Sequence, residues 1–379
     1  MRVKKNIIVF VLTGMLLTAC KENYEPPVIK TNVNLLVVDG FLNNSTDTTS
    51  IRLSRTRKLS DGTSNAAELH AQITVEDASG TPLYYFQEMN NGAYIVPGMN
   101  LDIGRIYRLH INTADGKQYT SDEIAIRQTP SIDSISWERQ EDGVTIFVNT
   151  HDPLNNTRYY RWDYTETWEY YSKYVSGFKY ENHEVIPRRT DEDIFTCWTT
   201  KNSTDLFLGS SAKLSEDIIH KSPLRFIPVN AVEISGKYSI LVRQYAITKE
   251  GYEYFQNLKK ITEQLGSIFD AQPSQLTGNI HSSDDPTEPV LGFVTASSVD
   301  TKRIFIKNGE VLPWQYRLQC DDKFIVPLDS LEHYFGAGVY VPTTEYAPRG
   351  AIEGYYAGSA GCVDCRTHGG KNIKPDFWP

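Results

Sequence analysis

A succession of short β-prone runs between residues 35 and 126 constrains the fold of this chain more than any other feature. The runs lie at residues 35–40, 50–54, 71–76, 94–96 and 107–111. Several alternate apolar with polar side chains, the pattern of a strand that is buried on one face. Turn-forming clusters separate them, as at Asp77-Ala78-Ser79-Gly80. About seven strands at turn spacings near 8–12 residues predict an immunoglobulin-like sandwich over residues 32–128.

A second β-sandwich domain is predicted for residues 129–379, after a boundary at Thr129-Pro130. Its clearest strands are residues 134–137, 144–148 and 238–245. The first two flank Glu141-Asp142-Gly143, which has the composition of a hairpin turn. We therefore predict a mainly β chain built from tandem immunoglobulin-like β-sandwiches.

One amphipathic helix embellishes the second domain and is predicted over residues 249–265. Thr248 supplies an N-cap, and Gly266 follows the last apolar position. Tyr252, Phe255 and Leu258 fall on one face, which we interpret as a packing stripe. The chain then ends in an irregular, glycine-rich C-terminal tail that contains two cysteines.

The stretch 158–180 is unusually aromatic, with 10 aromatic residues among 23. Five of them share one parity and would line one face of a strand: Tyr160, Trp162, Tyr164, Trp168 and Tyr170. Packing in a sandwich core is the commoner role of such a face. The alternative is an exposed platform for a glycan or an extended peptide. The ligand-binding candidates are Tyr164, Trp168, Tyr171 and Tyr174.

Residues 1–19 read as a lipoprotein signal peptide that ends at the lipobox Leu17-Thr18-Ala19-Cys20. Arg2, Lys4 and Lys5 precede an apolar core that is too short to span a membrane, which takes about 20 residues. The alternative is an ordinary signal peptide with an accidental cysteine. The lipobox predicts that Cys20 is lipidated and that residues 20–31 tether a folded body to the membrane. The net charge of −9 makes nucleic acid an unsuitable partner.

The other cysteines are Cys197, Cys320, Cys362 and Cys365. An even number in an exported protein predicts two disulfides. A redox pair at Cys362 and Cys365 would need a strand that leads into a helix, and a zinc site would need a second close pair. The tail cysteines either pair with each other or join the tail to Cys197 and Cys320, and the spacing does not choose between these pairings.

No catalytic, metal-binding or cofactor-binding motif is apparent. His183-Glu184 begins like a metalloprotease motif, but the second histidine is missing and Pro187 would break the helix. There is also no glycine loop with a lysine for phosphate. We predict no catalytic residue, no metal and no cofactor.

Several segments resemble a Bacteroidota lipoprotein family of unknown function, number 4249. They include Gly278-Asn279-Ile280, Val290-Leu291-Gly292-Phe293, Cys362-Val363-Asp364-Cys365 and Pro375-Asp376-Phe377-Trp378. The resemblance covers essentially the whole mature chain, and its cysteine-containing ending is the most specific part. Cys20-Lys21-Glu22-Asn23 is similar to the signal that exports such lipoproteins to the cell exterior.

The resemblance implies an accessory protein of the outer membrane, lipid-anchored and facing outward, that works with a TonB-dependent transporter in nutrient uptake. It brings no catalytic residues. The alternatives are a cell-surface hydrolase acting on glycans or peptides, which would need convergent carboxylates or another catalytic cluster, and a structural envelope or adhesion protein.

Overall fold

The computed structural model describes residues 34–57, 66–263 and 276–379. The predicted signal peptide, Cys20 and the tether 20–31 lie outside the described residues, as do the last two residues of the predicted helix. Within the described ranges the chain is mainly β and forms two successive sandwiches, as predicted. No helix in these ranges is both long and apolar enough to cross a membrane.

The first sandwich begins with short strands, and those at residues 36–40, 49–55, 72–77, 93–96 and 106–112 correspond to the predicted runs. They are β1 (Leu36–Gly40), β2 (Leu42–Asn43), β3 (Thr49–Arg55), β4 (Ala66–Ala67), β5 (Gln72–Asp77), β6 (Pro82–Tyr85), β7 (Gln87–Glu88), β8 (Ala93–Val96), β9 (Ile106–Asn112), β10 (Gln118–Ser121) and β11 (Ile124–Ala125). One sheet has the order β1-β3-β8-β7, with β4 paired to β3, and the other contains β10-β9-β5-β6, with β11 paired to β9. Burial alternates along β3, so that Ile51 and Leu53 enter the core while Arg52 faces solvent.

The second sandwich begins after Thr129 with longer strands. They are β12 (Ile132–Gln140), β13 (Gly143–His151), β14 (Tyr159–Tyr171), β15 (Phe178–Glu181), β16 (Glu184–Pro187), β17 (Thr196–Asn202), β18 (Phe207–Ser210), β19 (Ile218–Pro228) and β20 (Lys237–Ala246). One sheet has the order β12-β13-β19, and the facing sheet is organised around β14, which pairs with β17, β18 and β20. Strands β15 and β16 form a separate hairpin, with His183 in its turn.

The predicted helix is present as α1 (Lys249–Glu263). The Thr248 hydroxyl accepts a hydrogen bond from the Gly251 amide at 3.1 Å, which is the predicted N-cap. Phe255 is buried on the packing stripe, and Tyr252 and Leu258 are partly buried beside it. The helix packs against β14 and β18 of the second sandwich.

The chain then returns to the first sandwich. Strand β21 (Ile280–Ser282) extends the sheet at β10, and β22 (Ala296–Ser297) pairs in parallel with β2. Ile280, Val290 and Val294 lie in the first core. The predicted division at residue 128 therefore misses a segment that completes the first sandwich, because apolar patterning identifies a strand but not its partner. Strand β23 (Val299–Lys307) goes back to the second sandwich and pairs with β20.

A small C-terminal layer follows. It consists of β24 (Phe324–Pro327), α2 (Leu331–Phe335), β25 (Tyr340–Tyr346), β26 (Gly354–Ser359) and α3 (Ala360–Val363). The sheet β24-β26-β25 packs on the β15–β16 hairpin around Val326, Phe335 and Tyr355. The tail predicted to be irregular thus includes the short helix α3 and a 3₁₀ turn at Cys365–His368.

Two disulfides join this layer to the rest of the chain. Cys197 pairs with Cys365, and Cys320 pairs with Cys362, with Cα–Cα distances of 5.7 and 5.9 Å. The sequence prediction of two disulfides is confirmed, and the open question of connectivity is answered. The tail cysteines do not pair with each other, and each one is bonded to a distant segment.

Candidate functional site

The aromatic face of β14 lies in the core of the second sandwich. Tyr160, Trp162 and Tyr170 are each at most 5% exposed. The rings of Tyr160 and Trp162 stack with centroids 5.7 Å apart, and the Trp162 indole donates to the Gln244 side chain at 2.8 Å. The core-packing interpretation is therefore right for most of this face.

The prediction that Tyr164 binds a ligand is wrong, because its side chain is buried. It is 6% exposed and packs against Phe207, with ring centroids 5.5 Å apart. Burial raises the pKa of the Tyr164 hydroxyl to about 12, with a smaller contribution from Glu166. Alternate residues of β14 point to the same face of the sheet. Tyr164 is therefore buried on the inner face together with Tyr160 and Trp162.

An aromatic cleft opens where β14 ends. Two adjoining cavities of about 260 and 500 Å³ share Tyr171, Tyr316 and Leu318 in their walls. Trp168 and Tyr170 complete the aromatic side of the smaller cavity. We use the name aromatic cleft for these two cavities. Two of the predicted ligand-binding residues line it, Trp168 and Tyr171. Trp168 is only 4% exposed and belongs to the second core, so its prediction as a ligand-binding residue is corrected in the same way as that of Tyr164.

The β14 wall of the cleft is held by contacts behind the rings. Tyr171 is 39% exposed, stacks on Phe195 at 5.5 Å and donates its hydroxyl to Glu169. Partial burial, together with this bond, raises the pKa of Tyr171, so the phenol stays protonated at neutral pH. The Tyr170 hydroxyl donates to the Cys365 carbonyl at 2.8 Å, which ties this wall to the tail.

The other wall of the cleft is the irregular segment 316–320. Trp314, before the segment, is 3% exposed and donates its indole N–H to the Ala231 carbonyl at 2.9 Å. Cys320 ends the segment in its disulfide with Cys362. Between these anchors Tyr316 is 36% exposed, and its partial burial raises its pKa. The cleft therefore has an exposed tyrosine on each side.

The charge of the cleft is opposite to that of the chain. Its ionisable lining residues, apart from tyrosines, are Lys173, Lys201, Arg317 and His368, and none of its described lining residues is Asp or Glu. The Lys201 ammonium lies 5.3 Å from the centroid of the Trp168 ring. The lining is thus locally basic in a chain with a net charge of −9, while Glu169 accepts from Tyr171 and Glu233 contributes to the raised pKa of Tyr316. The lining suits a ligand with an apolar or ring-shaped part next to an anionic group.

A buried hydroxyl lies in the wall of the cleft. Ser235 lines the larger cavity, and its Oγ is buried without a hydrogen-bond partner among the described residues. Because this oxygen has almost no accessible surface, it belongs to the interior of the cleft wall and is not a contact point for a ligand.

Tyr174 lies outside the aromatic cleft. Its hydroxyl donates to the Asp321 carbonyl at 2.9 Å, and the ammonium groups of Lys173 and Lys323 lie 5.2 and 5.5 Å from its ring centroid. These contacts fix the segment next to the cleft. The sequence prediction missed Tyr170, Tyr316, Leu318 and Lys201 as lining residues, because no local pattern brings residues 316–318 to the end of β14.

Another cavity, of about 610 Å³, lies between α1 and the first sandwich. Its lining is acidic, but several of its carboxylates already have partners: Asp122 contacts His281 at 3.0 Å, and Glu123 contacts Arg108 at 2.8 Å. In the described part of the chain, no three or more His, Cys, Asp or Glu residues are grouped in a way that could hold a metal ion.

A family model described as a domain of unknown function (DUF4249) matches residues 21–303. The cysteine-containing tail, on which part of the resemblance rested, lies beyond the end of this match. No curated protein matches the chain.

Among solved structures, a two-domain fibronectin type-III segment of chicken tenascin is 14% identical, covering 56% of this chain and 91% of its own, with a TM-score of 0.18. A cytokine receptor complex is also 14% identical, covering 55% of this chain and 90% of its own, with a TM-score of 0.18.

Proposed function

The chain belongs to the DUF4249 family of domains of unknown function, and from this premise we propose that it is a lipid-anchored outer-membrane surface protein that binds a nutrient in the aromatic cleft. In this proposal it is a non-enzymatic accessory component that works with a TonB-dependent transporter. The observation that carries the binding role is the pairing of exposed Tyr171 and Tyr316 across a basic cleft in an acidic chain.

The composition of the cleft supports binding over hydrolysis at this site. Glycoside cleavage commonly needs two carboxyl groups at the ligand, and the described lining of the cleft has none. Tyrosine and leucine walls provide apolar contact, and Lys173, Lys201 and Arg317 provide charge complementarity. Such a site can hold and orient a ligand.

The location in the proposal is supported by the lipobox at Cys20 and by the lysine and glutamate that follow it. A single membrane-bound acyl chain gives only weak attachment, whereas two or more give a stable anchor. A stably anchored protein with a ligand cleft is suited to raising the local concentration of a nutrient beside a transporter.

The proposal is tested on protein purified from native membranes in mild detergent. Intact mass should show cleavage before Cys20 with an added acyl mass, and a TonB-dependent transporter should co-purify. A Cys20→Ala variant should lose the acyl mass and move to the soluble fraction. An unmodified Cys20 refutes the anchor, and recovery without a transporter across several detergents refutes the partnership.

A further inference from the structure

The backbone of the cleft wall at residues 316–318 is unpaired. Residues 314–323 belong to no helix, strand or turn. Among the hydrogen bonds of the described residues, none uses the N–H or C=O of Tyr316, Arg317 or Leu318. Three consecutive residues of this cleft wall therefore have main-chain donors and acceptors without a partner among the described residues.

The unpaired segment is fixed at both ends. Before it, the Gln315 amide donates to the Asn230 side chain at 2.7 Å, next to the buried Trp314. After it, Cys320 is held by its disulfide, and its carbonyl accepts from Lys173 at 3.2 Å. A segment held in this way needs little ordering when a partner binds, which lowers the entropic cost of association.

We propose that residues 316–318 act as an open strand edge, and that the ligand is an extended peptide that adds to it as a strand within the aromatic cleft. This inference rests on the proposed binding function and specifies its ligand class. Added strands gain affinity from main-chain hydrogen bonds and specificity from pockets for alternate side chains. In the cleft, the main chain of residues 316–318 can provide the hydrogen bonds, and the ring-lined cavity beside it can provide the side-chain pockets.

The lining defines the peptide that fits. Alternate side chains of a strand point to opposite faces. Those directed at Tyr171 and Tyr316 should be aromatic or apolar, because the smaller cavity is lined mainly by rings. Acidic side chains suit the surrounding Lys173, Lys201 and Arg317. A peptide that alternates apolar and acidic residues meets both requirements.

The test uses a hexapeptide of alternating phenylalanine and aspartate, blocked at both ends, titrated into the purified full chain by calorimetry. Two derivatives are N-methylated, one on all phenylalanine amides and one on all aspartate amides. In a strand these two sets of amides point to opposite edges, so only one set can pair with residues 316–318. One derivative should bind at least about tenfold more weakly than the parent peptide, because one or more hydrogen bonds are lost. The affinity of the other derivative should stay within about threefold of that of the parent peptide.

Variants of the protein locate the binding. Tyr316→Ala should weaken binding of the parent peptide about tenfold, as expected for the loss of an aromatic contact. Tyr85→Ala is the matched control, since Tyr85 is 70% exposed on the first sandwich and should leave binding unchanged. Circular dichroism spectra of both variants check that they are folded.

Three outcomes overturn the inference. If both methylated derivatives bind like the parent, the backbone edge is not used. In the second outcome, a neutral glucose hexasaccharide binds, the peptide does not, and Tyr316→Ala abolishes binding of the saccharide. The cleft is then a binding site, but the inference that its ligand is a peptide is wrong. If neither probe binds the full chain, both the inference and the binding function proposed for the cleft fail.

Discussion

Cys365 is bonded to Cys197 across 168 residues of sequence, which makes the C-terminal tail a covalent part of the sheet that contains the aromatic strand β14. The Cys365 carbonyl accepts a hydrogen bond from the Tyr170 hydroxyl. Cys365 also begins the 3₁₀ turn that ends at His368, and His368 lines the cleft. The tail is thus part of the structure that supports the candidate site.

The first prediction concerns this bond. Replacing Cys197 and Cys365 together by serine should lower the free energy of unfolding by about 2–5 kcal/mol, because the bond closes a long loop in the unfolded chain. The double variant avoids an unpaired thiol. Urea unfolding of the wild type and the variant measures the difference. A non-reducing peptide map that links Cys362 to Cys365 would contradict the structure directly.

The second prediction concerns the end of the tail. Trp378 is 4% exposed, packs on Phe305 and donates to Glu169 at 2.9 Å. Trp378→Ala should destabilise the protein by about 3–5 kcal/mol, as expected for a buried ring. The neighbouring Phe377 is 42% exposed with the Arg303 guanidinium 3.6 Å from its ring centroid. Phe377→Ala should cost only about 1 kcal/mol. Equal effects in urea unfolding would show that the tail is not docked in this way.

The third prediction concerns the close approach of Gly278 to Gly292, two glycines in the segments that resemble the family. A Cβ on Gly278 would lie 1.7 Å from the Gly292 carbonyl oxygen, whereas a Cβ on Gly309 would have no neighbour within 4 Å. Gly278→Ala should therefore cost about 3 kcal/mol, and Gly309→Ala less than about 0.5 kcal/mol. Thermal unfolding of the two variants provides the comparison. If Gly278→Ala melts like the wild type, the close contact between these backbones does not exist.

The fourth prediction is a pH dependence. A ring nitrogen of His151 lies 2.8 Å from the Asp133 carboxylate, and this hydrogen bond raises the pKa of His151 above 6.5. The pair therefore contributes its full stability below about pH 6.5, and that contribution is lost as the pH rises through the folded-state pKa. In an NMR titration, Asp133→Asn should move the pKa of His151 back toward 6.5. A wild-type His151 that titrates at or below 6.5 would rule out the pair.

Local patterns predicted the fold class well. Alternation over residues 50–54 and 71–76 corresponds to β3 and β5, and Thr248 caps α1 as expected. The shared parity of the β14 aromatics correctly placed them on one face. These features follow from the geometry of a single strand or helix, so a single stretch of sequence is enough to predict them.

Features that depend on distant pairing were not predictable. The return of residues 280–297 to the first sandwich, and the position of residues 316–318 beside β14, arise from tertiary contacts that leave no local periodicity. Parity likewise could not show that the face carrying Tyr164, Trp168 and Tyr170 is buried whereas Tyr171, of the opposite parity, is 39% exposed. The cleft was thus only partly predicted, through Trp168 and Tyr171.

The central claim, that the aromatic cleft binds a ligand along residues 316–318, is tested most directly by hydrogen exchange. Amides in this segment have no hydrogen-bond partner among the described residues and should exchange quickly in the free protein. A proteolytic digest of casein should slow exchange at residues 316–318 in the wild type but not in Tyr316→Ala, and a hydrolysate of dextran should have no effect. Unchanged exchange in this segment with both mixtures, at millimolar concentration, would contradict the claim.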